Sequence, residues 1–144
     1  MELSQFARRA VSIAPQATVL EACETMMAEG IGALVVLHDN GKLVGIISER
    51  DVVVRVVAKR RDPEKTQVAD IMTTDVRTVT ENTTDAQAME MMHRGRFRHL
   101  PLIDSSGKVT GMLSMRRVLR AHVGELALKN ADLLGYISAD GPGG

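Results

Sequence analysis

Aromatic side chains are almost missing from this 144-residue sequence, which has two Phe, one Tyr and no Trp. The sequence also has no excess charge of either sign, because 18 Lys and Arg are balanced by 18 Asp and Glu. General nucleic-acid binding needs a basic surface and rings on which bases stack. Nucleic acid is therefore disfavoured as a partner.

Cysteine and long apolar runs are scarce as well. A single cysteine, Cys23, has no second cysteine to pair with, which indicates a reducing compartment. The amino-terminal stretch lacks the apolar core of a signal peptide, and no run approaches the roughly 20 residues of a membrane span. We therefore expect a cytoplasmic globular protein with no membrane partner, built as one domain or two very small ones.

The sequence does contain an internal repeat. Residues 13–52 align without a gap with residues 79–118, and 11 of the 40 pairs are identical. Ordinary composition would give about two or three such matches by chance. The pattern predicts a tandem duplication.

Both copies predict the same five elements. The first strand and the first helix are predicted over 11–14 and 19–29 in one copy, and over 78–80 and 85–94 in the other. Two short strands joined by a Gly-containing turn follow as a hairpin. A second helix then begins at Glu49 or Met115.

This order indicates an α+β fold of two β-α-β-β-α repeats. One hairpin alone cannot cover its apolar face, so we expect the two copies to pack sheet to sheet. The predicted segments are a first repeat at 5–60, a linker at 61–74, a second repeat at 75–123, and a terminal helix with a frayed tail at 124–144.

A repeated motif opens the second helix of each copy, reading GIISERD at 45–51 and GMLSMRR at 111–117. Ser48 and Asp51 have the spacing of a capping box. The same geometry offers N–H groups to a phosphate and a carboxylate to the hydroxyls of a ribose. Arg117 replaces the acid in the second copy, either as a drifted surface charge or as a phosphate ligand. Both interpretations stay open at each corner.

The run GRFRHLP carries the other charged feature, with Arg96, Arg98 and His99 entering a buried strand. The first copy has only GIGAL at the matching place. Alternating arginines before a strand are also what a solvent-exposed face looks like.

Several of these features together resemble a pair of cystathionine-β-synthase-type (CBS) domains. They are the tandem unit, the G-apolar-apolar-S-x-x-D motif, the run GRFRHLPLID, and the run VADIMTTDVRTV before the second copy. The resemblance covers about residues 5–123. It implies a pseudo-twofold CBS pair (Bateman module) whose clefts bind AMP, ADP or ATP, with NAD(H) or S-adenosylmethionine in some members. It also implies a homodimer of two such pairs.

The resemblance further implies which residues bind the nucleotide. The Asp of the motif would bind ribose, the Ser would lie against ribose or phosphate, and Arg or His before the strand would reach phosphate. The first-copy cleft would use Ser48, Arg50 and Asp51 with Thr84, Ala88 and Leu113, and with Ile47 beside the motif. The second-copy cleft would use Arg98, His99, Ser114 and Arg117 with Thr18 and Ala22, and Arg96 is a further phosphate candidate.

The function that these expectations support is a non-catalytic regulatory module that senses an adenine nucleotide. The sequence has no nucleophile motif, no Gly-rich phosphate loop and no paired carboxylates, so we expect no enzyme activity, no catalytic cofactor and no metal. Its partners would be the nucleotide, a second copy and a protein effector that the sequence does not identify. The alternative is an RNA- or protein-binding adaptor that uses the basic helix faces RVVAKRR and RRVLRAH.

Overall fold

Two β-hairpins and the helices beside them form the body of the structure, a computed structural model that describes residues 3–129. The predicted tail beyond residue 129 lies outside the described residues. A 3-10 turn at Leu3–Phe6 opens the chain, and a π-helical turn at Val53–Val57 directly continues α2. The strands and α-helices in chain order are β1 Ser12–Ile13, α1 Val19–Glu29, β2 Ala33–Leu37, β3 Leu43–Ser48, α2 Glu49–Val52, α3 Val68–Ile71, α4 Asp85–Gly95, β4 His99–Ile103, β5 Val109–Ser114 and α5 Met115–Lys129.

Local sequence signals account for where the elements begin and turn. The side chains of Thr18 and Thr84 cap α1 and α4, each accepting a backbone N–H bond at 3.1 Å from the third residue of its helix. Gly41 and Gly107 adopt φ of 82° and 86° in the two hairpin turns, a conformation that suits glycine. The predicted first helices, hairpins and starts of the second helices are confirmed.

The two sheets differ in one strand. In the first repeat β1 runs parallel to β2, and β2 pairs antiparallel with β3. The strand predicted at 78–80 is reduced to a single parallel bridge between Val79 and Leu102. In the first repeat the N–H of Val35 donates to the carbonyl of Val11 at 3.1 Å. The residue equivalent to Val35 is Pro101, which has no N–H to donate, so this strand cannot extend in the same way.

The hydrophobic core lies in three groups. One packs under α1 within the first repeat and one under α4 within the second. The third joins the repeats, because Ala33 and Val35 of β2 cluster with Met112 of β5. This contact confirms the predicted sheet-to-sheet packing, and the fold is α+β as predicted.

Each repeat is completed by a segment that precedes the other repeat in the chain. Leu3 is fully buried in the core of the second repeat, whereas Val68 and Ile71 of α3 are buried in the core of the first. Backbone bridges continue this exchange, since Arg8 pairs with Met112 and Thr73 pairs with Ile46. The exchange brings the connector between the repeats beside the end of β3.

Candidate functional site

The corner between β3 and α2 is closed by a reciprocal capping box. The backbone N–H of Ser48 donates to Oδ2 of Asp51 at 2.9 Å, and the Ser48 hydroxyl donates to the same oxygen at 3.1 Å. In return, the backbone N–H of Asp51 donates to Oγ of Ser48 at 3.2 Å. The capping interpretation of this motif is therefore confirmed.

The second carboxylate oxygen of Asp51 faces the connector. Its Oδ1 accepts from the Thr73 hydroxyl at 3.3 Å and lies 3.9 Å from Nε of Arg55. Nη1 of Arg55 in turn donates to the carbonyls of Ile71 and Met72 at 2.9 and 3.1 Å. Both partners of Oδ1 are held loosely, since 3.3 Å is long for a hydroxyl donor and 3.9 Å is beyond hydrogen-bond distance. Oδ1 keeps the capacity to accept from a ligand hydroxyl.

A cavity of about 850 Å³ opens next to this carboxylate, and we call it the Asp51 cavity. It lies between the β3–α2 corner of the first repeat and the loop before β4 of the second. Its volume is in the range of small-molecule sites, about 300–1,000 Å³. Its lining comprises Gly32, Ile46, Ser48, Glu49, Arg50, Asp51, Val53, Val54, Arg55, Thr73, Asp75, Val76, Arg77, Gly95, Arg96, Phe97, Arg98 and His99.

The lining divides into an apolar part and a cationic part. We call the first the apolar wall, formed by Ile46, Val53, Val54, Val76 and Phe97, and the second the arginine rim, formed by Arg50, Arg55, Arg77, Arg96 and Arg98. A ligand that combines a flat apolar group with an anionic group would match both sets of residues. Such concentrated positive charge is a local feature, because the chain as a whole has no net charge.

His99 lies half-buried where the two repeats meet. A Cβ placed on Gly32 would lie 3.4 Å from the ring of His99 and 3.4 Å from the carboxylate of Glu49, so both side chains converge on this glycine. Burial lowers the pKa of His99, and the charge of Arg98 lowers it further, while Glu49 opposes the shift. The neutral imidazole has one donor and one acceptor nitrogen for hydrogen bonding.

The equivalent corner of the second repeat is built differently. The backbone N–H of Arg117 donates to Oγ of Ser114 at 3.3 Å, but no carboxylate closes the box in return. The backbone framework is otherwise the same in both repeats. Met115 donates to the carbonyl of Arg98 at 2.8 Å, as Glu49 donates to the carbonyl of Gly32 at 3.0 Å.

Comparison with known families identifies the architecture. The family model described as CBS domain matches twice, at residues 3–58 and 68–124. The chain belongs to the CBS domain family. The two repeats are thus a tandem CBS pair, and the matching model is that of a CBS domain rather than of an enzyme family.

Relatives of this CBS pair include longer proteins. The chain is 40% identical over 121 residues to an uncharacterized 17.7 kDa protein in the bps2 3′ region of Acidianus ambivalens, covering 83% of this chain and 72% of that one. It is 32% identical to MK0525 of Methanopyrus kandleri over 83% of its own length, but spans 62% of that protein. It spans 20% of the plant protein CBSCBSPB5 of Arabidopsis thaliana.

Solved CBS structures superpose on both repeats. The CBS domain structure of NE2398 is 37% identical with a TM-score of 0.77, and the match covers 84% of this chain and 93% of that one. The structure of CBSX2 in complex with AMP is 26% identical with a TM-score of 0.72, covering 85% and 96% of the two chains. These similarities agree with a Bateman module.

Six of the residues predicted to bind nucleotide line the Asp51 cavity, namely Ser48, Arg50, Asp51, Arg96, Arg98 and His99. Thr18 and Thr84 cap helices instead, and Ser114 and Arg117 lie at the second corner. The side chains of the remaining four are fully buried in the cores, namely Ala22, Ile47, Ala88 and Leu113. A nucleotide-binding role for any of them stays a prediction.

The structure brings together residues from both predicted clefts. Arg98 and His99 lie beside the second corner as predicted, since His99 pairs with Ser114 and the carbonyl of Arg98 accepts from the N–H of Met115, but both also line the Asp51 cavity. The reason is the packing between the repeats, which places the loop before β4 next to Gly32 and the β3–α2 corner of the first repeat.

Sequence reasoning missed Arg55, Thr73 and Arg77, which also line the cavity. A signal for Arg55 exists, because it follows Asp51 by four residues and so lies on the same helix face. Thr73 and Arg77 lie in the connector, and only the three-dimensional exchange between repeats brings them to the site.

Neither a cluster of metal ligands nor a membrane-spanning helix occurs in the part of the chain that the structure describes. Between residues 3 and 129, no three His, Cys, Asp or Glu side chains come together as metal ligands. Within the same residues, every helix is too short or too polar to cross a bilayer.

Proposed function

We propose that this CBS pair is a regulatory module that binds an adenine nucleotide in the Asp51 cavity. The observation that carries the proposal is the joint placement of a carboxylate acceptor, an arginine rim and an apolar wall around one cavity of about 850 Å³. A nucleotide requires these three environments for its ribose, its phosphate and its base. Support also comes from CBSX2, a similar protein whose structure is a complex with AMP.

Each part of the ligand has a partner of suitable chemistry. Oδ1 of Asp51 would accept a hydrogen bond from a ribose hydroxyl, displacing the long contact from Thr73. Arg50 and Arg98 would bind phosphate oxygens, because a planar guanidinium donates to them in pairs. The adenine would lie against Ile46 and Val76 of the apolar wall.

Binding would be communicated through the π-helical turn that continues α2. Val53 and Val54 line the cavity, while 58% of Val53 and 66% of Val57 are exposed. A ligand therefore contacts a helix that also carries an apolar outer surface. The ligand would favour or disfavour a complex formed by that surface to the extent that the ligand binds one arrangement of the helix more tightly than another.

The partner we propose for this surface is a second copy of the chain. The exposed Val53 and Val57 are equivalent, 66 residues apart, to Leu119 and Val123 of α5, which are 40% and 46% exposed. One copy therefore presents related apolar positions from both repeats, and in a twofold dimer this same surface of each copy would meet that of the other. Sedimentation should show that wild type is a dimer and that the charge introduced by Val57→Asp dissociates it. The control variant Ser105→Asp, in an exposed turn, should remain a dimer. A monomeric wild type would contradict the dimer.

Isothermal titration calorimetry with AMP, ADP, ATP and NADH tests the nucleotide proposal. We expect at least one of these ligands to bind to wild type and to lose its affinity in Asp51→Ala. The matched control is Glu21→Ala, because Glu21 completes the capping box of α1 by accepting from the N–H of Thr18 at 3.0 Å. Both variants lose about 1 kcal/mol of stability through the cap, but only Asp51→Ala loses an acceptor in the cavity.

Two results would overturn this function. Absence of binding to all four nucleotides would remove the ligand class, and equal binding by wild type and Asp51→Ala would remove the assigned site. Salt-sensitive RNA binding that is unaffected by Asp51→Ala would instead favour an adaptor that uses its basic helix faces.

A further inference from the structure

We propose that Arg96 makes the Asp51 cavity selective for nucleotides that carry more than one phosphate group, an inference that rests on the proposed function. Arg96 ends α4 with φ of 55° and ψ of 38°, in the left-handed region. The equivalent residue of the first repeat is Gly30, which ends α1 with φ of 64° and ψ of 38°. The fold therefore uses the same backbone turn twice, once with glycine and once with arginine.

Local structure does not account for an arginine at this turn. Residues with a Cβ are uncommon in the left-handed region, and glycine enters it without steric cost. The capping contact comes from the backbone N–H of Arg96, which bonds to the carbonyls of Met92 and His93, and a glycine would supply it equally well. What arginine adds, at a residue that lines the cavity, is a guanidinium. Residues held in a backbone conformation that is unusual for their type occur preferentially at functional sites.

The charges of the arginine rim indicate the number of phosphates. Arg55 is committed to the carbonyls of Ile71 and Met72, and Arg77 lies 3.6 Å from Asp75. The other three, Arg50, Arg96 and Arg98, make no side-chain hydrogen bond or ion pair with any of the side chains that the structure describes, which between 3 and 129 leave out 125 and 127–129.

Three guanidiniums without partners exceed what one terminal phosphate takes up, because each guanidinium pairs with phosphate oxygens bidentately. Of the cavity's carboxylates, those of Asp51 and Asp75 are already paired, which leaves Glu49 alone to offset this charge. A di- or triphosphate supplies the additional anionic oxygens. A nucleoside without phosphate, or with a cationic sulfonium, would leave the rim uncompensated.

Calorimetric titration of Arg96→Gly with ATP and AMP in magnesium-free buffer tests the inference. A matched control exists in Arg60→Gly, because Arg60 also has a positive φ, 58°, but does not line the cavity. Both substitutions relieve a left-handed arginine and should raise the melting temperature. In wild type we expect ATP to bind on the order of tenfold more tightly than AMP. Arg96→Gly should lose on the order of tenfold in ATP affinity, about 1.4 kcal/mol, and much less in AMP affinity, while Arg60→Gly changes neither.

Other outcomes separate this inference from the proposed function. Equal affinities of wild type for ATP and AMP, or equal losses for both ligands in Arg96→Gly, would overturn the role of Arg96 and leave nucleotide binding intact. A loss of ATP affinity in Arg60→Gly as large as that in Arg96→Gly would also overturn the role of Arg96, since the loss would then not depend on lining the cavity. Absence of binding to both ATP and AMP would overturn the inference, and it would overturn the proposed function only if ADP and NADH also failed to bind.

Discussion

The hydroxyl of Thr73 donates to Oδ1 of Asp51 at 3.3 Å, so the connector between the repeats is tied to the first turn of α2. The backbone supports this link, because Thr73 and Ile46 exchange two N–H···O bonds of 2.9 and 3.0 Å. Arg8 and Met112 exchange the equivalent pair in the second repeat, at 2.9 and 2.8 Å. The two corners therefore share one backbone framework, and only the corner with the acid is also closed by side chains.

Arg117→Asp should stabilise the protein by completing the missing half of the second capping box. The new carboxylate would accept from the N–H of Ser114, as Asp51 accepts from Ser48. It would also replace a cation in the first turn of the 15-residue helix α5, where the helix dipole favours an anion. We expect a gain of about 0.5–1 kcal/mol in the free energy of unfolding, measured in urea. The reverse change, Asp51→Arg, should destabilise, and a loss of stability in Arg117→Asp would refute the equivalence of the two corners.

Gly95→Ala should destabilise the loop before β4, whereas Gly124→Ala should stabilise α5. A Cβ on Gly95 would overlap the ring of Phe97, which folds back over the end of α4. We expect Gly95→Ala to lose about 1–3 kcal/mol through this overpacking. Gly124 has open space around it in α5, so alanine there should gain about 0.8–1 kcal/mol through helix propensity. Urea unfolding of both variants measures the opposite signs, and a stabilising Gly95→Ala would contradict the packing of Phe97.

The sequence predicts the repeated unit well because most of its signals are local. Thr18 and Thr84 mark the starts of α1 and α4, and Gly41 and Gly107 mark the hairpin turns, without reference to the rest of the chain. The strand predicted at 78–80 was wrong in extent, because Pro101 has no backbone N–H to donate to it. The need for this donor becomes apparent only when the two strands are seen to pair.

Long-range placements could not be predicted in this way. The motif located Ser48 and Asp51 at one corner, but no local pattern indicates that Arg98 and His99 line the same cavity. Nor does any pattern indicate that Leu3 packs in the second repeat, because the apolar residues of a short amino-terminal segment fit either core equally well by composition. The packing between the repeats decides both placements.

Leu3→Ala should destabilise the protein through the second repeat, although Leu3 precedes the first in the chain. Leu3 is fully buried beside residues of β4 and β5, so its truncation leaves a cavity there. We expect a loss of about 2–4 kcal/mol in urea. Met27→Ala, at a side chain that is 80% exposed, should change stability by less than about 0.5 kcal/mol.

Hydrogen exchange locates the damage in Leu3→Ala. Amides of β4 and β5 should lose more protection than those of β2 and β3, because the cavity forms in the core of the second repeat. Greater loss in β2 and β3 would show that the amino-terminal segment supports its own repeat and would contradict the exchange.

The burial of His99 predicts a loss of stability in mildly acidic solution. Its pKa is lowered in the folded protein, so the unfolded chain binds a proton at this residue more readily. Stability from the neutral ring is complete above the ordinary histidine pKa of about 6.5 and is lost as the pH falls below it toward the lowered value. The free energy of unfolding, measured in urea, should therefore decrease in wild type as the pH drops below about 6.5, and it should decrease less steeply in His99→Gln.

The variant Glu49→Gln should make this decrease steeper, because the charge of Glu49 raises the pKa of His99 against the effects of burial and Arg98. The double variant should show as shallow a pH dependence as His99→Gln. Identical slopes in wild type and His99→Gln would show that the ring does not resist protonation at the junction of the repeats.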